Sequence, residues 1–338
     1  MLDTVNRFRL LRWAAWLSLL LTTPNLSAQQ SLPPATADNL SSGDCSRRTV
    51  PLTLLTASQD LPWHWQALQV LVGGKTASVV SFSRDARPPR ILLLVDTSGS
   101  MGAESDNPGW ILGQAPPGWG IGLLAAAFAA DATPHDSLVS LGTFNDEGTV
   151  WSFQSRKNAI EGVMALASHP PKGRTALYLA VSKALTQFDP PQFGDTIFLV
   201  TDGGDNRSST LRKTLQEDLI ARGVRVFVFF VTHAFRSPEE REGPADMADL
   251  ARSTGGGLIQ APWSKKWVVG AEAAHFADEI RNQARWPYRL EFQLEQPLDR
   301  AAKLKITPPL ENKSLELAYP RVVVPCKISA SGEASKVR

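Results

Sequence analysis

The chain has no marked excess of charge of either sign and, after its first residues, no long apolar run. Its 35 basic and 33 acidic residues give a formal net charge of +2. The first 28 residues hold three arginines and one aspartate, so residues 29–338 carry 32 charges of each sign. This neutrality argues against nucleic acid as the main partner, because nucleic-acid binding depends on a surplus of Lys and Arg. No segment after residue 28 approaches the roughly 20 apolar residues that a membrane-spanning helix needs.

Three common catalytic or nucleotide-binding motifs are also missing. The five histidines are scattered, and none has the H-E-x-x-H spacing of a zinc site. Gly74-Lys75-Thr76 ends like a phosphate-binding loop, but Gln69 stands where that motif requires its first glycine. No G-x-S-x-G sequence is present to supply a nucleophilic serine. The sequence therefore offers no positioned pair of nucleophile and base.

The first 28 residues are typical of a secretory signal. Three arginines precede an apolar core of nine residues, 13–21, and Leu26-Ser27-Ala28 offers a small residue at a cleavage point. The alternative is a membrane anchor, but a core of this length is too short to cross a bilayer. We expect cleavage after Ala28 and export to the periplasm or to the medium.

The most informative stretch lies further along the chain. The apolar run 91–95 is typical of a buried strand, and Asp96-Thr97-Ser98-Gly99-Ser100 follows it directly. One carboxylate and two hydroxyls thus alternate at the carboxyl end of a strand, which is where open α/β sheets bind ligands. Such oxygen ligands suit hard cations, namely Mg²⁺, Mn²⁺ or Ca²⁺. Alone the pattern is weak, since Ser and Asp are also ordinary turn and N-cap residues.

Two further segments place oxygen-bearing side chains in similar positions. Thr175 follows Lys172-Gly173-Arg174 at the start of a helical pattern. The apolar run 197–200 predicts a second buried strand, which ends in Thr201-Asp202-Gly203-Gly204. These segments add a second carboxylate and a third hydroxyl to the first motif, which gives five oxygen-bearing side chains in all: Asp96, Ser98, Ser100, Thr175 and Asp202.

This order of motifs resembles the metal-ion-dependent adhesion site of von Willebrand factor A (vWA) domains, the family that includes integrin I domains. The resemblance covers roughly residues 90–285, and all five motif positions are filled. It implies that Ser98 and Ser100 bind the cation directly and that Thr175 joins them when a partner is engaged. It also implies that Asp96 and Asp202 act mainly through water. The alternative is a metal-free fold in which both aspartates cap turns or helices.

The ligand types of this site predict the kind of partner. A cation held by neutral hydroxyls keeps uncompensated positive charge, so the Glu or Asp carboxylate of a partner protein can complete its coordination. The resemblance therefore implies an exported, non-enzymatic module for cation-dependent adhesion or protein binding. Two alternatives stay open. A metal-dependent hydrolase would need a general base near the cation, whereas a structural envelope protein would tolerate loss of the cation.

Helical and strand patterns alternate across residues 90–285, which predicts a doubly wound, mostly parallel α/β sheet of the vWA or Rossmann type. Turn residues at 145–148 lie between two strand patterns and predict one antiparallel pair. Helices are expected at 120–131, 157–168, 175–188, 209–222, 245–254 and 271–285. Strands are expected at 91–95, 138–144, 149–153, 196–200, 224–232 and 257–261.

The regions on either side of this domain carry short strand patterns instead. Neither flank could bury a core alone, so we expect the two flanks to form one small β-sandwich beside the vWA-like domain. In an oxidising compartment, Cys45 and Cys326 would form a disulfide that ties the flanks together, or they remain two unrelated thiols.

The chain is therefore predicted to have six parts. They are a signal peptide (1–28), a linker (29–48), an N-terminal β flank (49–86), a vWA domain (90–285), a C-terminal β flank (286–326) and a tail (327–338). This layout is similar to that of the exported bacterial family called VWFA-related acidobacterial domains. Arg47-Arg48, at the end of the linker, is expected to be a solvated pair of charges.

One departure from the vWA pattern is the long segment 103–119 between Ser100 and the first helix. Its Pro, Gly and Trp content predicts an ordered, exposed loop beside the cation. Within it, Glu104 and Asp106 could bind a secondary cation, as acidic residues after this motif do in some integrins. The alternative is a solvated acidic loop.

Overall fold

The structure, a computed structural model, describes residues 44–54, 65–84, 87–102, 117–232, 238–262, 287–309 and 315–326. The predicted signal peptide, Glu104 and Asp106, the helix expected at 271–285 and the tail lie outside the described residues. Within them, no helix is long and apolar enough to cross a membrane.

The described residues form strands in the middle of the chain and in both flanks. The strands are β1 (Arg47–Leu54), β2 (Gln69–Val72), β3 (Lys75–Arg84), β4 (Arg90–Asp96), β5 (Leu138–Phe144), β6 (Gly148–Val150), β7 (Thr196–Thr201), β8 (Arg225–Thr232), β9 (Leu258–Pro262), β10 (Tyr288–Gln293), β11 (Ala302–Thr307), β12 (Leu317–Ala318) and β13 (Val322–Val323). The α-helices are α1 (Pro117–Ala132), α2 (Arg156–Ala165), α3 (Leu177–Ala184), α4 (Arg212–Arg222) and α5 (Pro238–Ser253). Single 3-10 turns occupy Trp65–Ala67, Gly99–Gly102, Leu166–Ser168 and Leu185–Phe188.

The middle of the chain folds around a six-stranded sheet of order β6-β5-β4-β7-β8-β9. Neighbouring strands are parallel except for the pair β5 and β6, which is antiparallel as the turn residues predict. Counted from its own first strand, this is the doubly wound order 3-2-1-4-5-6, and its switch point lies between β4 and β7. The predicted fold class is confirmed.

Both faces of this sheet are covered, which explains the unbroken apolar runs of its strands. Leu93 of β4 packs in a cluster with α1 and α2. Its neighbours Leu92 and Leu94 point the other way and pack with α3, α4 and α5. Alternate residues of β4 therefore contribute to the cores on the two faces of the sheet.

The flanks form a second, antiparallel sheet of order β12-β1-β10-β3-β2-β11-β13. Its strands enclose a separate core that includes Leu52, Val70, Phe292 and Leu304. A two-residue turn with positive φ at Gly73 and Gly74 joins β2 to β3, as the right-handed twist of a hairpin favours. The predicted β-sandwich of the two flanks is thereby present. Cys45 and Cys326 form a disulfide with a Cα–Cα distance of 5.6 Å.

The placement of Arg47-Arg48 in the linker is wrong, and of the two residues Arg47 alone is exposed. Both residues belong to β1, which pairs with β10. Arg47 donates from Nε to Glu291 Oε1 (2.6 Å), and the half-buried Arg48 donates to the carbonyl of Val324. The partner strand lies more than 240 residues away in sequence, so the local charge pattern could not reveal it.

The helix expected at 245–254 is longer than predicted. In the structure α5 begins at Pro238 and continues through Pro244. Proline is well tolerated in the first turn of a helix, whereas Gly243 and Pro244 weaken the helical pattern within it. The other described helices and strands lie within a few residues of their predicted positions.

The two sheets meet at the amino end of β8, where Arg225 is buried. Its guanidinium donates to the hydroxyls of Thr53 in β1 (2.9 Å) and Thr196 in β7 (2.8 Å). Burial lowers the pKa of Arg225 to about 9. Gly255 (φ +83°) adjoins the flank so closely that a Cβ there would lie 2.9 Å from the backbone nitrogen of Pro320.

Candidate metal centre

Asp96 ends β4 at the switch point of the sheet and is fully buried. Its Oδ1 accepts a hydrogen bond from the backbone N–H of Ser98 (2.8 Å), and its Oδ2 accepts one from the hydroxyl of Thr201 (2.6 Å). The first bond turns the chain out of the strand, as Asp side chains do in Asx turns. Because Thr201 ends the neighbouring strand β7, the carboxylate bridges the carboxyl ends of the two central strands.

The two serines connect this carboxylate to the second aspartate. Ser98 Oγ lies 3.1 Å from Ser100 Oγ, and Ser100 Oγ donates to Asp202 Oδ1 (2.8 Å). Ser98 and Asp202 are buried, whereas Ser100 is partly exposed. The structure thus brings side chains from two motifs about one hundred residues apart into one hydrogen-bonded row.

Backbone hydrogen bonds hold the third motif against the first. The N–H of Gly99 donates to the carbonyl of Gly173 (3.0 Å), and the N–H of Lys172 donates to the carbonyl of Thr97 (2.7 Å). Gly173 has a φ of +86°, and a side chain there would collide with Asp146. Both the positive φ and this contact therefore favour glycine at this position.

Thr175, buried at the end of this segment, lines a cavity of about 140 Å³. The residues around the cavity are Ser100, Gly173, Arg174, Thr175, Gly203, Gly204 and Asn206. All three motifs predicted from the sequence therefore contribute to one place at the carboxyl edge of the sheet.

Sequence reasoning missed the residues that fix Thr175 in this position. Asn206 Oδ1 accepts from the N–H of Thr175 (3.0 Å), and the N–H of Asn206 donates to the carbonyl of Thr175 (3.1 Å). Asp205 and Ser208 accept from the N–H groups of Tyr178 (3.1 Å) and Leu179 (2.9 Å) in the first turn of α3. The loop after β7 therefore caps the helix that follows Thr175. The only signal for this was a run of cap-forming residues after Thr201-Asp202-Gly203-Gly204.

Burial and the nearby charge of Asp202 raise the pKa of Asp96 to about 7, although hydrogen bonds from Ser98 and Thr201 lower it in part. Neighbouring carboxylates removed from water are costly unless positive charge offsets them. A divalent cation would provide that charge, and the carboxylate and hydroxyl oxygens present are the ligands that Mg²⁺ prefers. In the described part of the chain, no three His, Cys, Asp or Glu side chains form a metal-binding group, so a cation here would depend on the hydroxyls.

The strand order and the three polar loops at the carboxyl ends of β4 and β7 and before α3 define a vWA-like α/β fold. The basis for this fold assignment is the strand order of the chain.

No family model and no curated protein matches the chain. Among solved structures it is similar to the conserved hypothetical protein BatB from Bacteroides thetaiotaomicron (18% identity, TM-score 0.41, 58% of this chain and 98% of that one). It is also similar to a von Willebrand factor type A protein from Catenulispora acidiphila (11% identity, TM-score 0.43, 86% and 76% covered). A third similar structure is the SpRpn10 VWA domain (12% identity, TM-score 0.40, 57% and 95% covered). At identities this low, the similarity concerns the fold alone.

Proposed function

We propose that this protein is an exported vWA-type binding module that holds a divalent cation at a complete metal-ion-dependent adhesion site. Through that cation it binds an acidic residue of a partner protein. The observation that carries the proposal is the row Ser98, Ser100 and Asp202, with oxygen–oxygen distances of 3.1 and 2.8 Å. The ligands would be Asp96, Ser98, Ser100, Thr175 and Asp202.

The hydrogen bonds support a division of roles among these residues. Both oxygens of Asp96 already accept protein hydrogen bonds, which suits a residue that acts through water and orients Ser98. The hydroxyls of Ser98 and Ser100 would contact the cation directly, with Thr175 as the further hydroxyl at the cavity. A bound Mg²⁺ would supply an electrophilic position for a carboxylate, and Mn²⁺ or Ca²⁺ would do the same in its place.

We propose binding rather than catalysis. Of the described residues that line the cavity, none is a His, Asp or Glu that could act as an accessible general base. A hydrolase would need such a group beside the cation. A structural envelope protein would keep its contacts after the cation is removed, so cation dependence separates that function from adhesion.

Export to the periplasm or medium is part of the same proposal. The disulfide between Cys45 and Cys326 suits an oxidising compartment, and the first 28 residues have the composition of a signal peptide. The antiparallel sheet of the flanks supports placing the chain with the exported bacterial family of VWFA-related acidobacterial domains.

The test is a pull-down from an extract with the immobilised chain in Mg²⁺ or in EDTA, followed by mass spectrometry. The proteins that the wild type retains in Mg²⁺ should be lost in EDTA. The variant Asp96→Ala should not retain them in Mg²⁺. Asp299→Ala, an exposed site between β10 and β11, is the matched control and should retain them. Retention of the same proteins in every condition would contradict the proposed function.

A further inference from the structure

The cavity at the candidate metal centre has a positively charged side chain in its wall. Arg174 is the one charged residue among the described residues that line it. Its backbone N–H donates to Asp146 Oδ2 (3.1 Å). The side chain is exposed, and its guanidinium makes no hydrogen bond or ion pair with any residue that the structure describes.

Other charged side chains lie in the loops next to Arg174. Lys172 and Arg207 are two further exposed cations, one on the same segment and one in the loop after β7. The exposed carboxylate of Asp146 already has partners, since Oδ2 accepts from the N–H of Arg174 and Oδ1 lies 3.9 Å from Arg207 Nε. Both carboxylate oxygens of Asp205 accept hydrogen bonds from backbone N–H groups, which belong to α3 and to its own loop. Neither aspartate forms an ion pair with the guanidinium of Arg174.

We infer that Arg174 is a specificity residue and that the partner segment carries two carboxylates. One carboxylate would bind the cation and the second would bind the guanidinium of Arg174. This inference rests on the proposed function. A guanidinium is suited to the task because its planar fork binds a carboxylate through two parallel hydrogen bonds. Arg174 directly precedes Thr175, so both contacts fall within one short acidic stretch of the partner protein.

The test uses the full chain with Mg²⁺ and short synthetic peptides of neutral residues. One peptide carries a single Asp, and four others carry an additional Glu one to four positions after it. Binding is measured by fluorescence polarisation at low ionic strength, because salt screens exposed pairs. For at least one spacing, the two-acid peptide should bind about threefold to tenfold more tightly than the one-acid peptide, as expected for one exposed charge-assisted contact.

Arg174→Gln should remove this gain, so that the one-acid and two-acid peptides bind the variant with equal affinity. Arg300→Gln, an exposed arginine between β10 and β11, should keep the gain. Arg174→Glu should bind a peptide with Lys in the second position more tightly than one with Glu there. Thermal unfolding of each variant checks that it is folded.

The inference is overturned if no two-acid peptide binds the wild type better than the one-acid peptide, or if Arg174→Gln weakens all peptides equally. Neither result contradicts the proposed function, because the one-acid peptide would still bind in a Mg²⁺-dependent way. If the one-acid peptide shows no Mg²⁺-dependent binding, the proposed function and this inference are both contradicted.

Discussion

The two edges of the six-stranded sheet bury charge in different ways. At the amino edge, the buried carboxylate of Asp195 accepts two hydrogen bonds from the guanidinium of Arg90, at 2.8 and 2.6 Å. At the carboxyl edge, the equally buried Asp96 accepts from an amide and a hydroxyl and faces the charge of Asp202. Burial raises the pKa of Asp195 to about 6 in spite of Arg90, whereas burial and Asp202 together raise the pKa of Asp96 to about 7.

This difference indicates that the amino edge is a structural site, whereas the carboxyl edge is a candidate functional site. The amino edge contains its own positive charge for Asp195, and this pairing needs nothing from solvent. At the carboxyl edge, buried carboxylates are hydrogen-bonded to hydroxyls, and the hydroxyl-bearing residues Ser100 and Thr175 line a cavity. A cation from solution would stabilise this arrangement. Removal of one carboxylate should therefore have opposite consequences at the two edges.

The largest effect is expected at the amino edge. Asp195→Ala should lower the free energy of unfolding by about 3–5 kcal/mol, because it leaves a buried arginine without its carboxylate. The side chain of Arg90 is only 12% exposed. Urea unfolding measures the loss, and the double variant Arg90→Met/Asp195→Ala should regain part of it. A loss below about 1 kcal/mol, as for an exposed pair, would show that this edge does not depend on the ion pair.

The matching change at the carboxyl edge is Asp96→Asn. In EDTA the variant should be at least as stable as the wild type, because one of two neighbouring carboxylates is removed and the hydroxyl of Thr201 can reorient toward the amide. With Mg²⁺ at a hundredfold excess over its Kd, the wild type should gain about 3 kcal/mol and the variant nothing. Thermal unfolding with and without EDTA measures both. If Asp96→Asn in EDTA loses as much free energy of unfolding as Asp195→Ala does, the two edges do not differ in how they stabilise a buried carboxylate.

The raised pKa values predict a pH dependence. In EDTA the free energy of unfolding should fall as pH rises from about 4 to about 7, because folded Asp96 and Asp195 hold their protons more tightly than the unfolded chain does. Of these two carboxyl groups, Asp96 is the one whose proton competes with a cation, so the apparent Mg²⁺ affinity should rise about tenfold between about pH 6 and pH 8. Isothermal titration calorimetry checks this rise. If the Mg²⁺ affinity does not change over this pH range, Asp96 takes no part in binding the cation.

The smallest effect is expected from Asn206→Ala. The change removes the side-chain acceptor for the N–H of Thr175, and one net hydrogen bond is worth about 1 kcal/mol. We expect Mg²⁺ affinity to fall about threefold to fivefold with little change in melting temperature. Asn158→Ala, an exposed position in α2, is the control. A loss of stability without a loss of affinity would assign Asn206 a structural role only.

The positions at the carboxyl edge could be predicted because each follows a local pattern. Asp96 and Asp202 come directly after buried apolar runs, and Thr175 precedes a helical one. Carboxyl ends of parallel strands meet at one edge, which placed Asp96 and Asp202 together, and the resemblance to vWA domains added Thr175.

The supporting contacts could not be predicted in this way. The bonds between Asn206 and Thr175 join loops 31 residues apart, and Arg225 and Thr53 are 172 residues apart. No periodicity or motif pairs such residues, because each contact depends on the packing of whole elements. For the same reason the strand character of Arg47-Arg48 became visible only beside β10.

The most direct test of the account is a Mn²⁺ titration of the full chain, followed by electron paramagnetic resonance. If the carboxyl edge holds a divalent cation, the wild-type chain should bind one Mn²⁺ saturably, and the double variant Ser98→Ala/Ser100→Ala should lose this binding. Unfolding curves check that the variant is folded. Equal binding by both proteins, or no saturable binding by the wild type, would contradict this expectation.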